Sequence, residues 1–178
     1  MIAFFVSLSY PTLCIHPWWK QEVGRRLWLG AKAIAYGNDG GSGGVGSGVC
    51  FQGPTARAAT AGSGGGAAVT VEFRVAEACG DGIALRRTAD FDLRQLNGSW
   101  VLGKAALGRT PGTVVVTPVA PAGPGGFDQV RYLWSQSPCD HPKDDSVIGN
   151  CSVYNKDPAA GEGLPAPPFL LNITSTRS

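Results

Sequence analysis

The sequence predicts a mainly β protein: an antiparallel β-sandwich of jelly-roll-like kind, preceded by one helix near the N-terminus. Three observations carry this expectation. Short stretches of alternating apolar and polar residues recur from Val69 onward, with the period of two that a half-buried strand needs. Gly, Pro and Asn-Gly turn signals separate those stretches. Helical periodicity is confined to the residues before Gly37.

The helix is expected over residues 17–36. Pro17 suits a first helical turn, where its missing N–H costs nothing. Val23, Leu27, Ala31 and Ile34 follow at spacings of four, four and three, so they share one face, and Gly37 is placed to stop the helix. His16 therefore sits in the loop just before a helix with one face to bury. The opening residues, 1–10, are apolar but lack a basic leader segment, and read as the remnant of a loop or strand rather than as a signal peptide.

Residues 38–48 are rich in Gly and Ser and read as a flexible linker. Gly41 to Gly46 fits G-x-G-x-x-G formally. A dinucleotide site needs a strand before that motif and a helix after it; here a helix precedes and Pro54 soon follows. A second flexible insert is expected at 58–68. Strands then begin. Val69, Val71, Phe73 and Val75 alternate with Thr70, Glu72 and Arg74. Ile83 and Leu85 mark a short strand. Residues 91–96 and 99–102 should pair through a turn at Asn97-Gly98. A β-branched run covers 113–119, an alternating one 128–135, and the last strand 169–173. Leu164 to Pro168 reads as a rigid extended lead-in to that strand.

Composition narrows the functional classes. The chain has 178 residues, enough for a domain with a real core, and 43% of them are hydrophobic, which excludes wholesale disorder. A net charge of +2 gives no electrostatic case for a nucleic-acid partner or an anionic membrane, and no apolar run is long enough to span a bilayer. Five cysteines occur without a C-x-x-C pair, so zinc-ribbon spacing is absent. His141 lies among Asp140, Asp144 and Asp145 without a recognised ligand spacing and reads as part of a solvated loop; no metal and no cofactor are expected. Three N-x-S/T triplets begin at Asn97, Asn150 and Asn172 and are glycosylation candidates. Cysteines and triplets together point to a secreted or lysosomal protein.

Some of these segments resemble a known family. Ile15-His16-Pro17, then Lys20 to Leu27, then Ala31 to Gly37 are similar to the end of the catalytic domain in sialate O-acetylesterases, which are SGNH hydrolases. Val130-Arg131-Tyr132-Leu133-Trp134, then Ser137-Pro138-Cys139, then Gly163 to Phe169 resemble that family's C-terminal signature in the same order, and Phe51-Gln52-Gly53-Pro54 is a weaker third match. The resemblance implies three regions: residues 1–37 as the tail of an SGNH-like catalytic domain, 38–68 as linker and insert, and 69–178 as an accessory β-sandwich. It implies that His16 is the catalytic base, taking the proton of a nucleophilic serine and returning it to the leaving alkoxide. It places that serine and the oxyanion donors upstream of this chain, so the chain alone is expected to be an incomplete, inactive part that works with an upstream catalytic segment. The expected substrate is O-acetylated sialic acid or a sialoglycan. No carboxylate precedes His16, so its ring would need a backbone carbonyl or a distant carboxylate to fix its tautomer.

Trp18 and Trp19 could stack on a sugar ring or pack the helix start. Lys20, Arg25 and Arg26 could attract a carboxylate, but a solvated helix face is the plainer reading. Cys139 and Cys151 are disulfide candidates, flanking a polar loop where the resemblance also has a paired cysteine; the pairing of Cys14, Cys50 and Cys79 is left open by the sequence. The rival expectation is a non-catalytic secreted β-sandwich, a carbohydrate-binding or structural module.

Overall fold

The computed structural model describes residues 20–36, 50–62, 68–76, 79–80, 82–121, 123, 125–135, 139, 151–156 and 163–175. The mainly β expectation holds. Among the described residues, after one helix, α1 (Lys20–Ala31), and a π-helical turn, Lys32–Tyr36, come nine strands: β1 (Thr55–Ala61), β2 (Val69–Arg74), β3 (Ile83–Leu85), β4 (Phe91–Gln95), β5 (Trp100–Leu107), β6 (Thr113–Pro118), β7 (Phe127–Tyr132), β8 (Val153–Asn155) and β9 (Phe169–Ser175).

Seven strands form a ring of hydrogen-bonded neighbours in the order β1-β2-β6-β5-β4-β7-β9, while β3 and β8 pair as a separate ribbon. Every pairing in the ring is antiparallel except the one that closes it, where Ala59, Thr60 and Ala61 lie parallel to Ile173, Thr174 and Ser175. The first half of β9 pairs with β7, from Tyr132↔Phe169 to Gln129↔Asn172, and its second half passes to β1. Closure removes the open edges that an unclosed pair of sheets would leave for another chain to pair with.

Alternate residues point inward and fill the ring. Val69, Val71, Phe73, Phe91, Leu93, Val114, Val116, Val130 and Tyr132 are all buried, and Phe169, Leu171 and Ile173 pack against them. Tyr132 stacks on Phe169 at 5.4 Å and lies 4.7 Å from Phe91, with Phe73 edge-on to Phe169 at 5.8 Å. β5 contributes small residues at this level: a side chain at Gly103 would collide with the Val116 methyl. Large residues on one wall thus face small ones on another, which close packing requires.

Two strands went unread. β1 falls partly inside the stretch expected to be a flexible insert. Its sequence, TARAATA, offers the core only alanines, Ala59 buried and Ala56 packed against the cluster, so no hydrophobic alternation marks it. It is a strand because β2 and β9 satisfy its backbone on both sides. The β-body therefore begins before residue 69. β8 carries Val153, Tyr154 and Asn155, all buried, so it has no period of two to detect. The β4–β5 hairpin forms as expected, but around a three-residue loop. Gln95 N–H donates to Ser99 O at 2.8 Å, Gly98 N–H donates to Gln95 O at 2.9 Å, and Gly98 takes φ +87°. That is a type I turn closed by a left-handed glycine.

The helix begins at Lys20 among the described residues; residues 17–19 lie outside them. The expected buried face is covered only in part: Val23 and Ala31 are half-buried. Leu27 is 44% and Ile34 70% exposed, while Ala33 is buried. The wider π turn from Lys32 to Tyr36 rotates the chain out of the 3.6 period, so Ala33 rather than Ile34 turns inward. No described helix is long and apolar enough to cross a membrane.

Tyr132 ties the ring to the ribbon. Its ring is fully buried, and its hydroxyl accepts the Val153 N–H at 2.9 Å. Replacing it, Tyr132→Phe, leaves that buried N–H without a partner and is expected to cost about 1–3 kcal/mol, read as a lower denaturant midpoint. Burial also raises the phenol's pKa above its usual value of 10.0. The unfolded phenol ionises first, so stability that is present below that value declines as the pH climbs through it toward the folded pKa. The Phe variant should show a shallower alkaline decline; an unchanged midpoint and slope would rule out this role.

Candidate functional site

The sole catalytic candidate, His16, lies outside the described residues, as do Trp18, Trp19, His141 and Asn150. Arg25 and Arg26 are half-buried on α1. Among the described residues, no group of three or more His, Cys, Asp and Glu side chains is gathered as a metal site requires.

The structure does bring together the downstream segments that carry the family resemblance. Cys50, just before Phe51-Gln52-Gly53-Pro54, forms a disulfide with Cys79, with Cα atoms 4.7 Å apart. This settles part of the pairing the sequence left open. The carbonyl of Gln52 lies 3.2 Å from the Cys79 sulfur. Pro54 is fully buried, and a side chain at Gly53 would run into the Pro165 carbonyl, so only glycine lets these two segments lie together.

Asn155 joins them. It is 2% exposed. Its Nδ2 donates to the Cys79 carbonyl at 2.7 Å, its Oδ1 accepts the Leu164 N–H, and its own N–H donates to Leu164 O at 3.1 Å. Gly163 sits hard against the Asn155 carbonyl, with no room for a side chain. One buried amide thus links the Cys50–Cys79 bridge, β8 and the lead-in to β9, with its hydrogen-bonding groups satisfied. Sequence reasoning missed it, because a single Asn beside charged residues carries no signal of burial.

The remaining motif residues divide between the two faces of β7. Tyr132 points inward. Arg131 points outward, its Nε donating to Asp92 Oδ2 at 2.8 Å and its guanidinium lying 3.9 Å from the Trp100 ring centre. Leu133 takes φ +56° while its N–H donates to the Asp90 carbonyl at 3.0 Å. Cys139 pairs with Cys151 as expected, with Cα atoms 4.2 Å apart, and the Cys151 N–H donates to the Tyr154 hydroxyl at 3.0 Å. Ser152 is fully buried, its Oγ 2.9 Å from the Ala89 carbonyl and 2.6 Å from Asp90 Oδ2. Beside the Arg131 pair, Arg94 grips Asp128 through two bonds, at 2.9 and 2.7 Å, and this contact holds the Asp128 carboxyl below the usual carboxylate range.

These groups neutralise one another: each named arginine on this face has its aspartate, and each buried hydroxyl has its carbonyl or N–H. Among the described residues, these contacts hold the end of the ring together. What they define is a disulfide-stapled, closed β-domain.

No family model matches the sequence, and no curated protein sequence matches it. Among solved structures, the chain is similar to the crystal structure of a novel carbohydrate acetylesterase from Xanthomonas citri, with a TM-score of 0.61 and 24% identity over 92% of this chain. The match covers 30% of that chain, so this sequence spans less than a third of that protein's length. The likeness establishes a shared fold.

Proposed function

We propose that the chain is the C-terminal part of a carbohydrate acetylesterase, and more narrowly of a sialate O-acetylesterase-like enzyme that removes acetyl esters from sialic acid hydroxyls. The observation that carries the proposal is the fold likeness over 92% of the chain to a protein described as a carbohydrate acetylesterase. The narrower reading, sialic acid as the sugar, draws on the motif resemblance around His16 and on the downstream motifs, whose residues interlock through Gly53, Asn155 and Pro165.

In this reading residues 1–37 complete an SGNH-like catalytic domain supplied by chain upstream. His16 takes the proton from that domain's serine as the oxygen attacks the acetyl carbonyl. It then protonates the departing sugar alkoxide, and the acyl-serine is hydrolysed by water in the same way. The β-domain supports the catalytic domain and takes no part in bond making. Two disulfides suit an oxidising compartment, in keeping with a secreted or lysosomal enzyme.

The test is acetate release by the protein extended upstream, in frame, to include the serine-bearing block. Turnover of O-acetylated sialic acid is expected. Turnover of other acetylated sugars but not of sialic acid would move the substrate while leaving the reaction; no turnover of either would sink the reading. One observation favours the rival, a non-catalytic β-module: among the described residues the core cluster is built of residues after the helix. The transcript's 5′ end separates the two, since the enzyme reading needs coding sequence for the serine block ahead of residue 1.

A further inference from the structure

Asn97 is the sequence motif that the esterase reading leaves unused. It opens the triplet Asn97-Gly98-Ser99 at the tip of the β4–β5 hairpin, and it is exposed. The Ser99 N–H donates to Asn97 Oδ1 at 3.0 Å, and the Ser99 hydroxyl lies 2.7 Å from the same oxygen. A backbone N–H can only donate, so the atom it meets must be the amide oxygen, and Nδ2 points the other way. Among the described residues Nδ2 donates to none. Gly98 beside it has open space where a side chain would stand.

The triplet at Asn172 is arranged differently. Asn150 lies outside the described residues, and its Ser152 is buried with the hydroxyl held between Ala89 and Asp90. Asn172 is exposed, but its Oδ1 accepts Gln129 Nε2 at 2.9 Å, and the Thr174 hydroxyl donates across to the Ala59 carbonyl at 3.1 Å. Of the two described triplet asparagines, Asn97 is the one whose amide oxygen faces the hydroxyl two residues on, a hydroxyl that also lies 3.0 Å from Gln95 Oε1, on an exposed turn.

The same hairpin displays apolar surface. Leu96 is 60% exposed and Leu102 68%, and Val119, 59% exposed, donates its N–H to the Leu102 carbonyl at 2.8 Å. Val119 therefore continues the β5–β6 ladder opposite Leu102, and residues opposite each other share a face. Singly such residues are ordinary; three beside one sequon are surface that an attached chain of sugars can reach.

We propose that Asn97 carries an N-linked glycan, and that this glycan lies over the surface of Leu96, Leu102 and Val119. The donor is a lipid pyrophosphate-linked oligosaccharide. The Asn97 nitrogen forms a bond to the anomeric carbon while the bond from that carbon to the pyrophosphate oxygen breaks. The oxygen leaves with the electron pair, and one amide proton passes to base. The inference needs passage through a glycosylating compartment and does not depend on the esterase activity.

The experiment directs the full 178-residue chain into the secretory route of a eukaryotic host behind a cleavable leader. Glycans are released enzymatically in heavy-oxygen water, which converts an occupied Asn to labelled Asp, and the peptides are mapped by mass. Asn97 is expected to be labelled in most molecules, and Asn97→Gln and Ser99→Ala should each remove one glycan's worth of mobility. An unlabelled Asn97, in secreted or retained protein alike, overturns the site. Removing the glycan should raise the fluorescence of an apolar-surface dye, and the rise should vanish in a Leu102→Ser/Val119→Ser variant. Unchanged dye fluorescence on removal overturns the covering role.

Discussion

His16→Ala in the upstream-extended protein is expected to slow acetate release by a thousandfold or more, on the order of the loss seen when a member of a catalytic triad is removed. The size follows from what the imidazole does. Without it the serine must attack as a neutral hydroxyl, and the sugar must leave as an unprotonated alkoxide, so both halves of the reaction lose their proton carrier. Residual turnover would come from the upstream oxyanion donors and from substrate binding alone. The 178-residue chain by itself should be nearly inert, since a lone histidine has no nucleophile to activate. Lys20→Ala is the control and should change little. The measurement is acetate released from O-acetylated sialic acid, with circular dichroism confirming that each variant is folded. A folded His16→Ala protein of near-full activity would sink the assignment, and efficient turnover by the short chain would mean that it holds a nucleophile of its own.

The second large effect concerns stability. Replacing Cys50 and Cys79 together by alanine should destabilise the β-domain by about 3–4 kcal/mol, because it releases a long loop in the unfolded chain. The two cysteines are 29 residues apart, against 12 for Cys139 and Cys151, so the first bridge should contribute slightly more. Asn155 adds to the difference, since its amide donates to the Cys79 carbonyl that the bridge holds in place. Asn155→Ala alone leaves that carbonyl and the Leu164 N–H buried and unpaired, at a cost of about 1–3 kcal/mol each. Thermal unfolding without reductant should show a midpoint lower by roughly ten degrees for the Cys50/Cys79 variant. A midpoint equal to that of the unaltered protein would show that Asn155 and the packing of Gly53 on Pro165 hold this end without the bridge.

Much of the fold was legible. β2, β4 and β7 could be read because Val69, Val71, Phe73, Phe91, Leu93, Val130 and Tyr132 alternate with polar residues, and all of these turned out buried. The helix was legible from its spacing, but the fate of its face was not: Leu27 and Ile34 are exposed among the described residues, and the π turn that moves Ala33 inward has no periodic signature. Cys139 and Cys151 could be matched because a short polar loop separates them. Of the candidate site, His16 was legible as a motif residue, and it lies outside the described residues. Asn155, the amide that binds the downstream motifs together, was not legible at all.

By itself, then, the sequence determined the buried face of β2, β4 and β7 and where the β4–β5 turn falls, because both are local: a period of two fixes the buried face of a strand, and Asn97-Gly98 fixes a bend; past Tyr132 the period breaks, and Leu133 is buried while Trp134 is exposed. Only the tertiary structure decided that β1 is a strand, that Cys50 meets Cys79, and that the ring closes through parallel pairing of Ala59 with Ile173, residues more than a hundred positions apart. The physical reason is common to all three. β1 offers the core little more than the methyl group of Ala59, and a disulfide or a parallel pairing carries no periodic mark, so each depends on backbone groups and sulfur atoms finding partners that the rest of the ring has already brought within reach.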